Sequence, residues 1–141
     1  MNKKTKVLVV DDSLFFRGVL TKKLAEFSNI EVLGYARDAF EAREKIPLLK
    51  PDVVTLDVEM PKLNGIEFLK QLIPQYPIPV VLVSSLSISV FDALAAGAVD
   101  FVKKPEFSGS ESIASFIDEL AAKIIIASSA KVSLPQETRK L

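Results

Sequence analysis

Pro51-Asp52-Val53-Val54-Thr55-Leu56-Asp57-Val58-Glu59-Met60-Pro61-Lys62-Leu63-Asn64-Gly65 contains a short apolar run that stops on a carboxylate. The run, Val53 to Leu56, reads as a buried strand. Asp57 ends it, and Pro61 and the Asn64-Gly65 pair then break the backbone before a new helical pattern begins at Ile66. In open α/β sheets, ligands bind outside the carboxyl ends of the strands. A strand that delivers one acid to such a loop is a place for chemistry if other strands deliver partners.

Outward from this stretch the same alternation repeats. Val7-Leu8-Val9-Val10 and Val80-Val81-Leu82-Val83 are continuous apolar runs of the kind found in strands covered on both faces. Ile30 to Ala36 is a further strand, with Glu31 pointing to an edge position, and Val99 to Lys103 is the last. Between the strands, apolar residues recur at helical spacing. The first set is Phe16, Leu20, Leu24 and Phe27, closed by Ser28-Asn29. The second, after a cap at Asp38, is Ala39, Ala42, Ile46 and Leu49, limited by Pro47 and Pro51. Ile66, Leu69 and Ile73, with Phe68 and Leu72, form a third helix ending near Pro74 and Pro77. Val90, Leu94 and Ala98 suggest a short fourth, closed by Gly97. Ile113, Phe116, Ile117, Leu120 and Ile124 form the clearest stripe. Five strand–helix units predict a doubly wound, five-stranded parallel sheet of flavodoxin-like (βα)5 type, with right-handed crossovers.

Composition narrows the function. At 141 residues the chain is expected to hold one domain, over 1–127, followed by a polar linker or disordered tail over 128–141. Eighteen basic and eighteen acidic residues cancel, so no nucleic-acid partner is expected. The absence of cysteine excludes thiolate chemistry and fits a reducing, cytoplasmic setting. The absence of histidine removes His-containing triads, His-ligated zinc and imidazole general bases. The uncharged run from Gln71 to Phe91 is interrupted by Pro74, Pro77 and Pro79 and is not expected to insert in a membrane.

In a parallel sheet the C-terminal ends of all strands share one edge. Asp11-Asp12 follows the first strand, Asp57 the third, Ser84-Ser85 the fourth and Lys104 the fifth. Each has a bland reading alone: Asp12 or Ser13 as a helix cap, Asp57 as a turn residue, Ser84 as a satisfied hydroxyl, Lys104 as a solvated lysine. Together they converge on one pocket. Carboxylates about 4 Å apart repel by roughly 1 kcal/mol per pair in water, and several-fold more at lower dielectric. Such a cluster requires counter-charge, and all-oxygen ligands suit a hard cation such as Mg²⁺.

These motifs resemble the receiver domain of two-component response regulators over roughly residues 5 to 127. Val9-Val10-Asp11-Asp12-Ser13 is similar to that family's acidic pair, and Asp57-Val58-Glu59-Met60-Pro61 with Asn64-Gly65 to its phosphoacceptor loop. Pro79 to Ser84 resembles its switch-hydroxyl strand, and Gly97 to Pro105 its Lys-Pro signature. Asn64 stands where receivers usually carry Asp; both tolerate the turn. Thr55 to Pro61, Val83-Ser84-Ser85-Leu86 and Gly97 to Phe101 most resemble the receivers of chemotaxis methylesterase regulators. The Ser-His-Asp triad of that group's catalytic domain cannot be held by a chain without histidine. The chain is therefore expected to be a receiver half or a free-standing homologue.

The resemblance implies that Asp57 accepts a phosphoryl group from a histidine of a partner kinase. Asp12, Asp57 and the backbone carbonyl of Glu59 would hold Mg²⁺, with Asp11 contributing through water. Lys104 would neutralise phosphoryl oxygens, and Ser84 and Phe101 would switch a surface toward an output domain or chemotaxis partner. Two alternatives are a receiver-like interaction module that is not phosphorylated and a Mg²⁺-dependent phosphohydrolase of the haloacid dehalogenase type. The latter wants a second acid two residues after the first, whereas Asp11-Asp12 is followed by Ser13. A flavodoxin-like FMN binder would share the fold, but the acidic first loop would repel its phosphate.

Overall fold

The computed structural model describes residues 3–86, 89–106, 109–130 and 132. Its elements alternate as expected: β1 (Thr5–Val10), α1 (Leu14–Leu24), β2 (Ile30–Ala36), α2 (Ala39–Leu49), β3 (Val53–Asp57), α3 (Gly65–Gln75), β4 (Val80–Ser84), α4 (Val90–Ala95), β5 (Asp100–Lys103) and α5 (Ser110–Ala127). All pairings are parallel, in the order β2-β1-β3-β4-β5. The order reverses direction at β1, so the crevice between the ends of β1 and β3 is the topological switch point of the sheet.

Two apolar layers hold the sheet. Leu8, Val10, Val54, Leu56, Val80 and Leu82 face α2, α3 and α4, where Ile46, Phe68, Leu69 and Ile73 meet them. Val7, Val9, Val53, Val81, Val83 and Val102 face α1 and α5, against Leu20, Leu24, Ile117, Leu120 and Ile124. Alternate residues of each strand thus serve opposite faces, which is why the strands read as continuous apolar runs.

Several local expectations are corrected. Helix α1 stops at Leu24, short of Phe27, which turns off the helix yet still packs on the α1–α5 layer. Helix α2 runs through Pro47 to Leu49, and Lys50 ends it in a left-handed conformation at φ 52°. Pro47 removes only the bond to the Arg43 carbonyl near the helix end; Pro51, outside, is the true limit. At α4 the described buried positions are Ala93 and the C-cap Ala96, whereas Leu94 is exposed, because small side chains let this short helix lie close on the sheet. Strand β5 begins at Asp100, not Val99.

Strand β2 lies at the sheet edge, as Glu31 suggested. Its register against β1 slips between Val7↔Val32 and Leu8↔Gly34, leaving Leu33 bulged, and Gly34 takes φ 155°. Beyond α5, Ala130 closes a turn onto Ala127; the expected tail falls largely on residues outside those described. Among the described residues no helix is long and apolar enough to cross a membrane.

Candidate functional site

Five polar or charged residues are buried among those described: Asp11, Thr55, Asp57, Ser84 and Lys104. Burying charge is costly unless it is paired, and here the three charged residues meet at the switch point.

Each is placed by its strand. Past the end of β1, the Asp11 amide donates to the Ala36 carbonyl at 3.0 Å, and its Oδ1 accepts from the Ser13 amide at 2.8 Å. Ser13 caps α1 by accepting from the Phe16 amide at 3.3 Å, which leaves the exposed Asp12 carboxylate for the pocket rim. Arg17, on the first turns of α1, donates to the backbone carbonyls of both Asp11 and Asp12, at 3.1 Å each. It thereby fixes the turn that presents the acid pair.

Asp57 ends β3, and the loop after it is tied down on both sides. The Val58 amide donates to Val83 at 2.9 Å, and the Gly65 amide reaches back to the Val58 carbonyl at 2.8 Å. Asn64 caps α3, accepting from the Glu67 amide at 2.9 Å, so Asn does here what Asp would. Gly65 is required sterically: a Cβ there would run into the Asp57 carbonyl and lie 2.9 Å from the Val58 Cα.

The Lys104 amide donates to the Ser84 carbonyl at 2.7 Å, fastening the end of β5 to that of β4. Its Nζ lies 2.9 Å from Asp11 Oδ2, 3.4 Å from Asp57 Oδ1 and 4.4 Å from the centre of the Phe16 ring. The Asp11 contact is an ion pair without hydrogen-bond alignment, so Oδ2 keeps unused acceptor capacity. The Phe16 ring adds a cation–π face to the ammonium, a contact no sequence pattern announced. Burial, and after it the Asp11 charge, pushes the Asp57 carboxyl up to about 8; Lys104 pulls the other way, and Asp12 and Glu59 add to the rise.

The Glu59 side chain departs from expectation, which used only its backbone carbonyl. Its carboxylate spans to the β4 loop: Oε2 accepts from the Ser84 hydroxyl at 2.5 Å, and Oε1 from the Ser85 amide and hydroxyl at 2.7 and 2.6 Å. Burial raises its pKa, but these bonds and the nearby Lys104 charge outweigh that and hold it below the usual range. Phe101 lies apart from the acid cluster, half-buried against the α2–α4 layer. Lys123 of α5 donates to its carbonyl at 2.8 Å and lies 5.6 Å from its ring centre.

The geometry fits a hard cation. Asp11, Asp12 and Asp57 each offer a carboxylate oxygen, all within 4.8 Å of one another. Their charge exceeds what Lys104 balances, the Asp11 oxygen has spare capacity, and Asp57 is held far above an ordinary aspartate.

Comparison with known proteins gives one answer. The family model of the response regulator receiver domain matches residues 7–116. A protein-glutamate methylesterase/protein-glutamine glutaminase from Syntrophomonas wolfei is 53% identical over 139 residues, covering 99% of this chain but 41% of that protein. Its counterpart in Syntrophotalea carbinolica is 51% identical over 137 residues, covering 94% of this chain and 39% of the relative. The chain thus spans about two fifths of the curated relatives it matches. Among solved structures, the response regulator domain of Thermotoga maritima CheB superposes with a TM-score of 0.83 at 44% identity, covering 92% of this chain and 99% of that one. The sheet order, the strand-end acids and these likenesses agree: the chain belongs to the response regulator receiver domain family, and within it is similar to the receivers of chemotaxis methylesterases.

Proposed function

We propose that this chain is the phosphoacceptor switch of a chemotaxis response regulator, with Asp57 as the residue phosphorylated by a histidine kinase. The observation that carries the reading is the buried Asp57 carboxylate facing both Asp11 and the Lys104 ammonium, 3.4 Å away. Asp57 attacks phosphorus in line as the P–N bond of a phosphohistidine breaks. The bonding pair stays with the imidazole, which takes a proton from water. The chain has no histidine, so the phosphohistidine lies outside these 141 residues.

Asp11, Asp12, Asp57 and the Glu59 carbonyl would hold Mg²⁺, the cation receiver domains bind at such a cluster. When bound, it supplies positive charge against the phosphoryl oxygens. Lys104 supplies the same from the other side, and Arg17 keeps the acid pair presented. Catalysis is then largely positioning and electrostatic stabilisation. After transfer, the Ser84 hydroxyl turns to a phosphoryl oxygen, draws in the loop after β4 and lets Phe101 move inward. A full switch from 1:99 to 99:1 needs about 5.5 kcal/mol of differential interaction. Two or three charge-assisted hydrogen bonds at about 1.5–3 kcal/mol each are enough.

Residues 1–127 form the switch and 128–141 a linker in this reading. The output, by likeness to the longer relatives, is a methylesterase domain or a chemotaxis partner that meets the face of α4, β5 and α5. The test is phosphorylation by a small phosphodonor with Mg²⁺. Wild type should gain one alkali-labile phosphate, and Asp57→Asn none. Persistent acyl phosphate in that variant would overturn the assignment.

A further inference from the structure

The Ser84 hydroxyl, which must reach the phosphoryl group, is already engaged. It has a single proton and two acceptors, Glu59 Oε2 at 2.5 Å and the Leu86 carbonyl at 2.9 Å, while its oxygen also accepts from the Leu86 amide at 3.1 Å. The carboxylate is the shorter and charged acceptor, so it takes the proton. That carboxylate is held in turn by Ser85, whose amide and hydroxyl both donate to Oε1. Glu59 is therefore gripped at both oxygens by two consecutive residues of the β4 loop. A phosphoryl oxygen on Asp57 would be a third competitor for one proton.

We infer that Ser85 is a positioning residue: with Glu59 it forms a latch that commits the Ser84 hydroxyl away from Asp57, and phosphorylation proceeds to the switched state only as this latch opens. The latch sets a threshold. Interactions of the phosphoryl group must exceed not only the cost of moving the loop but also the bonds from Ser84 and Ser85 to Glu59. Among the described residues the Ser85 hydroxyl has one hydrogen-bond partner, the Glu59 carboxylate, so it acts on Ser84 through Glu59. The inference rests on the reading of Asp57 as phosphoacceptor and concerns the step that follows transfer.

The test uses beryllofluoride with Mg²⁺ as the phosphoryl mimic on the 141-residue chain, titrated by amide NMR. Ser85→Ala removes one latch donor without changing any charge, and Ser85 is exposed. Its affinity for the mimic should rise about five- to ten-fold, the net worth of one ordinary hydrogen bond at a solvent-exposed position. Ser85→Thr, which keeps the hydroxyl, should restore the wild-type value, and the affinity for Mg²⁺ alone should be unchanged in both. Unchanged or weakened binding of the mimic by Ser85→Ala would overturn the latch, as would an equal gain in Mg²⁺ affinity. A separate arm guards the underlying reading. If wild type fails to bind the mimic, or Asp57→Asn binds it equally well, the phosphoacceptor assignment fails rather than the latch.

Discussion

Thr55 and Asp57 lie two residues apart on β3, both buried, and meet opposite fates. Asp57 faces an ammonium, two other acids and a loop built around it. The Thr55 hydroxyl finds no hydrogen-bond partner among the described residues. An orphaned buried hydroxyl costs stability, whereas a methyl of the same shape does not. Thr55→Val should therefore stabilise the chain by about 1 kcal/mol, seen as a rise of about 3–5 °C in the thermal midpoint. A fall would show that buried water satisfies the hydroxyl. Asp57, Ser84 and Lys104 were legible in the sequence because each halts an apolar run at the same edge of one sheet. The Glu59 carboxylate was not: its partners lie 25 and 26 positions away, on a loop whose approach no local pattern records. Phe16 was legible as core but not as the surface beneath the Lys104 ammonium, since one ring can do both.

At the scale of the element, α3 shows geometry overriding propensity. Alanine is preferred to glycine in a helix by about 1 kcal/mol, yet Gly65 opens α3 where any Cβ strikes the Asp57 backbone. Gly65→Ala is expected to destabilise the chain by about 1–3 kcal/mol in urea denaturation, the usual cost of overpacking. It should also weaken beryllofluoride binding, because the carbonyl that must give way belongs to Asp57 itself. Unchanged stability with full binding would mean that α3 can slide without moving β3. Strand identity was readable from apolar runs, and helix identity from spacing. Boundaries were less so: Pro47 looks like a terminator but sits where only one carbonyl loses its donor, and α4 hides a contact face made of Ala93 and Ala96 that no large apolar stripe advertises.

For the whole molecule, the site couples charge to folding. The Asp57 carboxyl titrates near 8 when folded, against an ordinary 3.8, so the folded chain binds the proton more tightly than the unfolded one. Without divalent cation, stability from this group should be fully present below pH 4 and decline as pH rises toward about 8. Mg²⁺ should reverse the trend, because it competes with the proton for the same oxygens. Its stabilisation in thermal melts should be larger at pH 8 than at pH 6. A Mg²⁺ effect independent of pH would separate the cation site from Asp57. The five-fold βα order made this convergence foreseeable, since a parallel sheet sends every strand end to one edge.

The bulge at Leu33 and Gly34 has a consequence for life in a crowded solution. An outermost strand exposes unpaired amides and carbonyls that another chain could copy. Here β2 breaks its own ladder midway, and the opposite margin, β5, is only four residues long and carries the exposed Lys103. Neither border offers the long, straight, regular template that chain-to-chain polymerisation by strand addition requires. Both margins of the sheet are thereby blunted against growth by strand addition.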